Sequence, residues 1–121
     1  IEKNETRWET IQCDDAEYIL VAYGTSARLS QKAVDIARAK GIKLGLLRPI
    51  TLFPFPTQPI AELANRVKGI LSVEMSAGQM VEDVRLAVGD KVKVAHFGRM
   101  GGIIPSPPEI VEALESKLIG G

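Results

Sequence analysis

The sequence predicts an α/β domain built on a doubly wound, mostly parallel sheet. Three observations carry that reading. Short apolar runs alternate with helix-period stripes along nearly the whole chain. The runs are continuous rather than alternating, as in strands covered on both faces. The stretches between them are long enough for helical crossovers, which parallel neighbours require.

The elements follow in order. Residues 1–15 are charged and irregular, a linker from a preceding domain or an edge strand, with a weak alternation over Arg7-Trp-Glu-Thr-Ile-Gln-Cys13. Residues 16–121 form the α/β domain. Tyr18-Ile-Leu-Val-Ala-Tyr23 is the first buried strand. Gly24-Thr25-Ser26 turns it into a helix that reaches Lys40, with Gly41 as its C-terminal cap. Lys43–Leu47 is the second strand. Ile60, Leu63, Ala64 and Val67 fall at i, i+3, i+4 and i+7, one face of a helix, with Gly69 as its stop. Ile70–Glu74 is the third strand. Ser76-Ala-Gly-Gln79 has the form of a capping box for a helix lined by Met80, Val84, Ala87 and Val88. Val92–Phe97 is the fourth strand. Ser106-Pro-Pro-Glu109 is a second capping box, with Pro at the first helical position, ahead of a stripe of Ile110, Val111, Leu114 and Leu118.

Composition narrows the function. At 121 residues the chain is one domain. Fifteen basic and fifteen acidic residues cancel, so no global field draws in nucleic acid or an anionic membrane. No apolar run approaches a membrane span. One cysteine (Cys13) and one histidine (His96) cannot make a disulfide, a zinc site or an iron–sulfur site. A lone Cys fits a reducing, cytoplasmic setting. The chain starts on Ile in a charged segment, which suggests a piece of a longer chain.

Partners and ligands of such sheets meet the loops beyond the carboxyl ends of the strands. Four loops fall there, and they hold the candidate residues. Gly24, Thr25, Ser26 and Arg28 form either an anion-binding turn or a plain turn with Ser26 as N-cap; no dinucleotide or phosphate-loop fingerprint is present. Arg48 precedes Pro49 in Gly45-Leu-Leu-Arg-Pro-Ile-Thr-Leu-Phe-Pro-Phe-Pro56. It either clamps an anion with its planar fork or pairs with Glu74. Pro49 removes a ladder donor, so the strand ends or reaches an edge there. Pro54 and Pro56 hold Phe53 and Phe55 in an extended connector shaped for packing against another domain or subunit. Glu74 closes an apolar strand, as a proton-active carboxylate or as an acceptor for loop amides or Arg48. Gln79 has its local role in the capping box. Arg99, in Gly98-Arg-Met-Gly-Gly102, is an anion or partner contact or part of a surface loop. His96 reads as packed or edge-exposed, and Cys13 as inert. No catalytic residue and no metal ligand is assigned.

The stretches Asp15–Gly24 with Ala27-Arg28, Ala33-Val34 and Ala37-Arg38, Gly45–Pro56, Val73-Glu-Met-Ser-Ala-Gly-Gln-Met80 with Asp83-Val-Arg85, and Phe97-Gly-Arg-Met-Gly-Gly102 together resemble a known family. They are similar to the carboxyl-terminal domain of the alpha subunit of 2-oxoacid:ferredoxin oxidoreductases, nearest to the 2-oxoglutarate and 2-oxoisovalerate enzymes. The family more often carries Asn where Ser76 stands and Trp where Phe53 stands. Both exchanges keep the inferred roles of N-cap and apolar anchor. The resemblance implies a fold like the transketolase carboxyl-terminal domain. It implies membership of an enzyme that oxidatively decarboxylates a 2-oxoacid with coenzyme A and passes electrons to ferredoxin. That holoenzyme would use thiamine diphosphate, Mg, iron–sulfur clusters and coenzyme A, none of them expected on this domain. Its partners would be the other domains of its own subunit and the thiamine-diphosphate-binding beta subunit, with ferredoxin met by the holoenzyme. The residues alone leave two further readings, a stand-alone module for an anionic nucleotide-like ligand and a pure scaffold.

Overall fold

The structure, a computed structural model, describes residues 8–22, 25–49, 57–74, 79–98 and 106–119. Among the described residues, five strands and four α-helices follow in order, alternating from β2 onward: β1 (Trp8–Ile11), β2 (Tyr18–Ala22), α1 (Thr25–Ala39), β3 (Leu44–Pro49), α2 (Thr57–Ala64), β4 (Gly69–Glu74), α3 (Gln79–Val88), β5 (Lys93–Gly98) and α4 (Pro107–Leu114). A π-helical turn, Glu115–Ile119, extends α4. The sheet order is β1-β3-β2-β4-β5. β1 runs antiparallel to β3, and all other pairs are parallel. The charged lead-in thus supplies an edge strand.

The winding shows in the two cores. Leu20, Ala22, Leu44, Leu46, Leu71 and Val73 face α1 and α4. Ile19, Val21, Leu47 and Ile70 face the other way, onto α2 and α3. Strands β2, β3 and β4 therefore bury both faces, which is why their sequences are apolar without alternation. Each fully buried Leu or Ile contributes about 1.5–3 kcal/mol.

Local chemistry explains the element ends. Gly41 has φ +89°, its N–H donates to Arg38 O (3.0 Å), and the Ile42 N–H donates to Ala37 O (2.9 Å). That is a Schellman cap, and the half-buried Ile42 adds its apolar contact. At α4, the Glu109 N–H donates to Ser106 Oγ (3.4 Å) and the Ser106 N–H donates to Glu109 Oε1 (2.8 Å), the expected reciprocal box. Pairing of β3 with β2 stops at Leu47, so Pro49, which lacks an N–H, stands only beside Trp8 of the edge strand.

Four expectations are corrected. Gly69 does not stop α2, which ends at Ala64; it opens β4, where an added Cβ would sit 3.2 Å from the Leu118 methyls. Val67 is buried but lies past the end of that helix. Leu118 lies in the π-helical turn rather than on an α-helical stripe. Helix α1 begins at Thr25, so Ser26 is inside its first turn and is not the N-cap. The box expected at Ser76 lies outside the described residues.

Candidate functional site at the carboxyl rim of the sheet

The chain leaves β2 towards β3 over one face and returns past β2 to reach β4 over the other. The winding therefore reverses between β2 and β4. In open α/β sheets this switch point, at the carboxyl ends of the strands, is where a crevice for a ligand or partner opens. The ends of β2 and β4 and the starts of α1 and α3 bring the backbone of Ala22, Thr25, Glu74 and Gln79 to neighbouring positions on one rim. Arg28 is exposed in the first turn of α1, on that rim. Backbone position is known for Thr25, Ser26, Glu74 and Gln79. Gly24, Phe53, Phe55 and Arg99 lie outside the described residues.

Arg48 has a different partner from the expected one. Its Nη1 donates to Glu9 Oε1 at 3.2 Å, and Glu9 is its register neighbour across the antiparallel β1–β3 pair. β2 separates β3 from β4, so Glu74 is not on an adjacent strand. The pair is open to water, with 40% of the Arg48 and 55% of the Glu9 side chain exposed. Such pairs contribute at most about 1 kcal/mol. Arg48 is therefore weakly held and able to exchange Glu9 for an incoming anion. Sequence reasoning missed Glu9; its only signal was an acid inside the weakly alternating 7–13 stretch. Trp8, beside Pro49, is 41% exposed and adds an aromatic surface to the same corner.

The rim carries no assembled acid–base pair among the described residues. Ser72 on β4 and His96 on β5 are register neighbours. The Ser72 Oγ and His96 Nδ1 atoms are buried with no hydrogen-bond partner among the described residues. His96 itself is half-buried on the edge strand, as its position in the pattern suggested. Cys13 is buried, its thiol donates to the Leu46 carbonyl oxygen at 3.3 Å, and burial pushes its pKa up. That is an inert thiol, not a nucleophile.

The opposite rim is tied by Arg38, which sequence reasoning did not single out. Its guanidinium donates to both carboxylate oxygens of Asp15 (2.7 and 3.2 Å), to Gln12 O (2.8 Å) and to Leu44 O (2.9 Å). The Arg38 hydrogen bond holds the Asp15 carboxyl below its ordinary value. The sequence signals were its place in the family-like Ala37-Arg38 pair and in the last turn of a helix.

A profile of the family described as pyruvate:ferredoxin oxidoreductase core domain II matches residues 16–110. The chain belongs to that family. Among curated relatives, it is 56% identical over 102 residues to the ketoisovalerate oxidoreductase subunit VorB of Methanothermobacter marburgensis, covering 84% of this chain and 29% of the relative. It is 34% identical over 101 residues to the 2-oxoglutarate synthase subunit KorA of the same organism, covering 84% and 27%. The chain thus spans less than a third of the length of these relatives. Among solved structures, 2-oxoglutarate:ferredoxin oxidoreductase from Magnetococcus marinus superposes with a TM-score of 0.77 at 19% identity, over 94% of this chain and 20% of that one. A split-gene transketolase superposes with a TM-score of 0.80 at 16% identity, over 94% and 41%. These two likenesses establish the fold, which is the transketolase-like fold the motifs implied.

Proposed function

We propose that this domain serves a 2-oxoacid:ferredoxin oxidoreductase as a packing unit whose carboxyl rim docks the other domains of its subunit and the thiamine-diphosphate-binding beta subunit. The parent reaction is coenzyme A-dependent oxidative decarboxylation of a 2-oxoacid, with electrons passed to ferredoxin, in the cytoplasm. Thiamine diphosphate, Mg and iron–sulfur clusters would supply that chemistry from elsewhere in the holoenzyme. The donor set here does not fit a cluster, since the one thiol is buried and bonded to a carbonyl. Identities of 56% and 51% to VorB subunits against 34% to KorA favour a ketoisovalerate-type parent.

The observation that carries this reading is a carboxyl rim that holds exposed Arg28, Arg48 and Trp8, with Arg48 in a single water-exposed contact to Glu9 among the described residues. Whether rim residues also flank the approach of substrate or coenzyme A is part of the same proposal. The test is Phe53→Ser with Phe55→Ser in the intact enzyme, with subunit composition read by native mass spectrometry. Loss of assembly with a folded domain is expected. A fully assembled double variant, or an unfolded one, removes the support. Calorimetry of the chain with coenzyme A separates this reading from a stand-alone nucleotide-binding module, which would give saturable heat.

A further inference from the structure

The sheet has two outer edges, and they differ. β1 is four residues long and ends at Ile11, after which Gln12, with φ +53°, turns the chain away. β5 is six residues long and pairs with β4 in unbroken register from Gly69↔Lys93 to Glu74↔Gly98. It holds no Pro and no bulge, and no strand among the described residues pairs with its far side. An open, regular edge of that length is a template for another strand.

Beside this edge lies a cavity of about 590 Å³, lined by Phe97 of β5 and by Glu109, Glu112, Ala113, Ser116 and Lys117 of α4 and its π-helical turn. Ala95 and Phe97 face α4, whereas Val94 faces the other core, so Lys93 alternates onto the α4 side. α4 runs against β5. Leu118 reaches Gly69, the register neighbour of Lys93, so Lys117 lies at the amino half of the edge. Glu109 and Glu112, earlier in α4, lie towards Phe97 at the carboxyl half. Glu115, which also borders the cavity, is already paired with Lys40 at 2.9 Å. Glu112 has no ion pair among the described residues and is exposed. The edge is thus basic at one end and acidic at the other.

A two-fold axis reverses such a strip and sets each end against its opposite. We propose that a second copy of this domain pairs along β5, antiparallel and centred on Ala95, to make one continuous sheet. In that register Ala95 faces its own copy and Lys93 of the second copy stands directly opposite Phe97. Directly opposed residues share a face, so that ammonium enters the cavity beside Glu112, and the arrangement repeats at the other end. A register shifted by one residue would carry Lys93 to the wrong face. Two copies of the acidic half never meet. The inference stands apart from the reaction of the parent enzyme.

Sedimentation velocity of the 121-residue chain tests it. A monomer–dimer equilibrium is expected between 13.1 kDa and twice that mass. Lys93→Glu and Glu112→Lys should each weaken the dimer about tenfold, and the double reversal should restore it. A chain that stays monomeric to about 0.5 mM overturns the proposal. So does a dimer indifferent to both reversals. If a charge variant fails to fold, Ala95→Cys decides instead. Opposed Cα atoms in an antiparallel pair lie about 4.5–5.5 Å apart, within disulfide reach. Mild oxidation should give a covalent dimer that the unmodified chain, with Cys13 buried, does not form; a monomeric Ala95→Cys product overturns the register.

Discussion

The two rims of the sheet are built on opposite plans. At the amino rim, Arg38 spends four hydrogen bonds on Asp15, Gln12 and Leu44, and its side chain is only 22% exposed. The Gln12–Ala16 turn lies so close on β3 that only Gly45 fits beneath it, with an added Cβ at 2.9 Å from Gln12 O. At the carboxyl rim, Arg48 keeps one exposed contact at 3.2 Å, and Trp8 and Arg28 face water. The domain thus satisfies its polar groups internally at one end and leaves them available at the other. Among the described residues, the denser polar network lies at the amino rim, away from Arg28, Arg48 and Trp8.

The comparison breaks first, if it breaks, at Gly45. Gly45→Val places its first side-chain carbon 3.1 Å from the Cys13 Cα and the Ala16 Cβ, which are backbone and core atoms that cannot swing aside. A stability loss of about 3 kcal/mol is expected by urea unfolding, the upper range of overpacking. A neutral Gly45→Val would show the amino rim to be as yielding as the other.

Arg38→Met comes next. It keeps the packing of the stem but leaves two backbone carbonyls and Asp15 without their donors, for an expected loss of about 2 kcal/mol. Arg38→Lys should not restore it, because an ammonium cannot span the four acceptors. The linkage has a definite sign. The folded-state pKa of Asp15 lies below the ordinary 3.8, so its contribution is full above that value and is lost as pH falls through the depressed folded value. Arg38→Met should flatten the acid limb of the stability–pH curve, as should Asp15→Asn.

These two residues also mark where the sequence was silent. The strand and helix order was legible because apolar runs and i, i+3, i+4 stripes are local patterns. Gly41 and Ser106-Pro-Pro-Glu109 were legible because caps depend on a few adjacent residues. Gly45 and Arg38 depend on the turn between β1 and β2 folding back onto β3, a non-local contact. The partner of Arg48 was misread for the same reason: strand order is not written in any one segment, and β2 intervenes between Arg48 and Glu74. Gly69 was misread because a glycine that makes room for Leu118 looks, in sequence, like a glycine that ends a helix.

Ser106→Ala sharpens the comparison from within the carboxyl rim, since α4 starts there. It removes one of the two reciprocal cap bonds and should cost about 1 kcal/mol in thermal or urea unfolding. The loss would show that the rim is locally well capped, and that the openness of Arg48 belongs to that corner rather than to the rim as a whole.

The smallest stability effect belongs to Arg48→Ala. Its one ion pair is solvent-exposed on both sides, so the fold should lose less than about 0.5 kcal/mol. If the carboxyl rim docks partners as proposed, the same substitution in the full-length protein should clearly lower subunit assembly, because a guanidinium held by a single exposed carboxylate is worth more to an incoming partner than to its own domain. Glu9→Gln separates the two roles. It frees Arg48 without removing it, so assembly should be kept or strengthened while stability changes as little as in Arg48→Ala. If Arg48→Ala instead unfolds the domain as readily as Arg38→Met, the two rims share one plan and the carboxyl rim loses its claim to be the docking side.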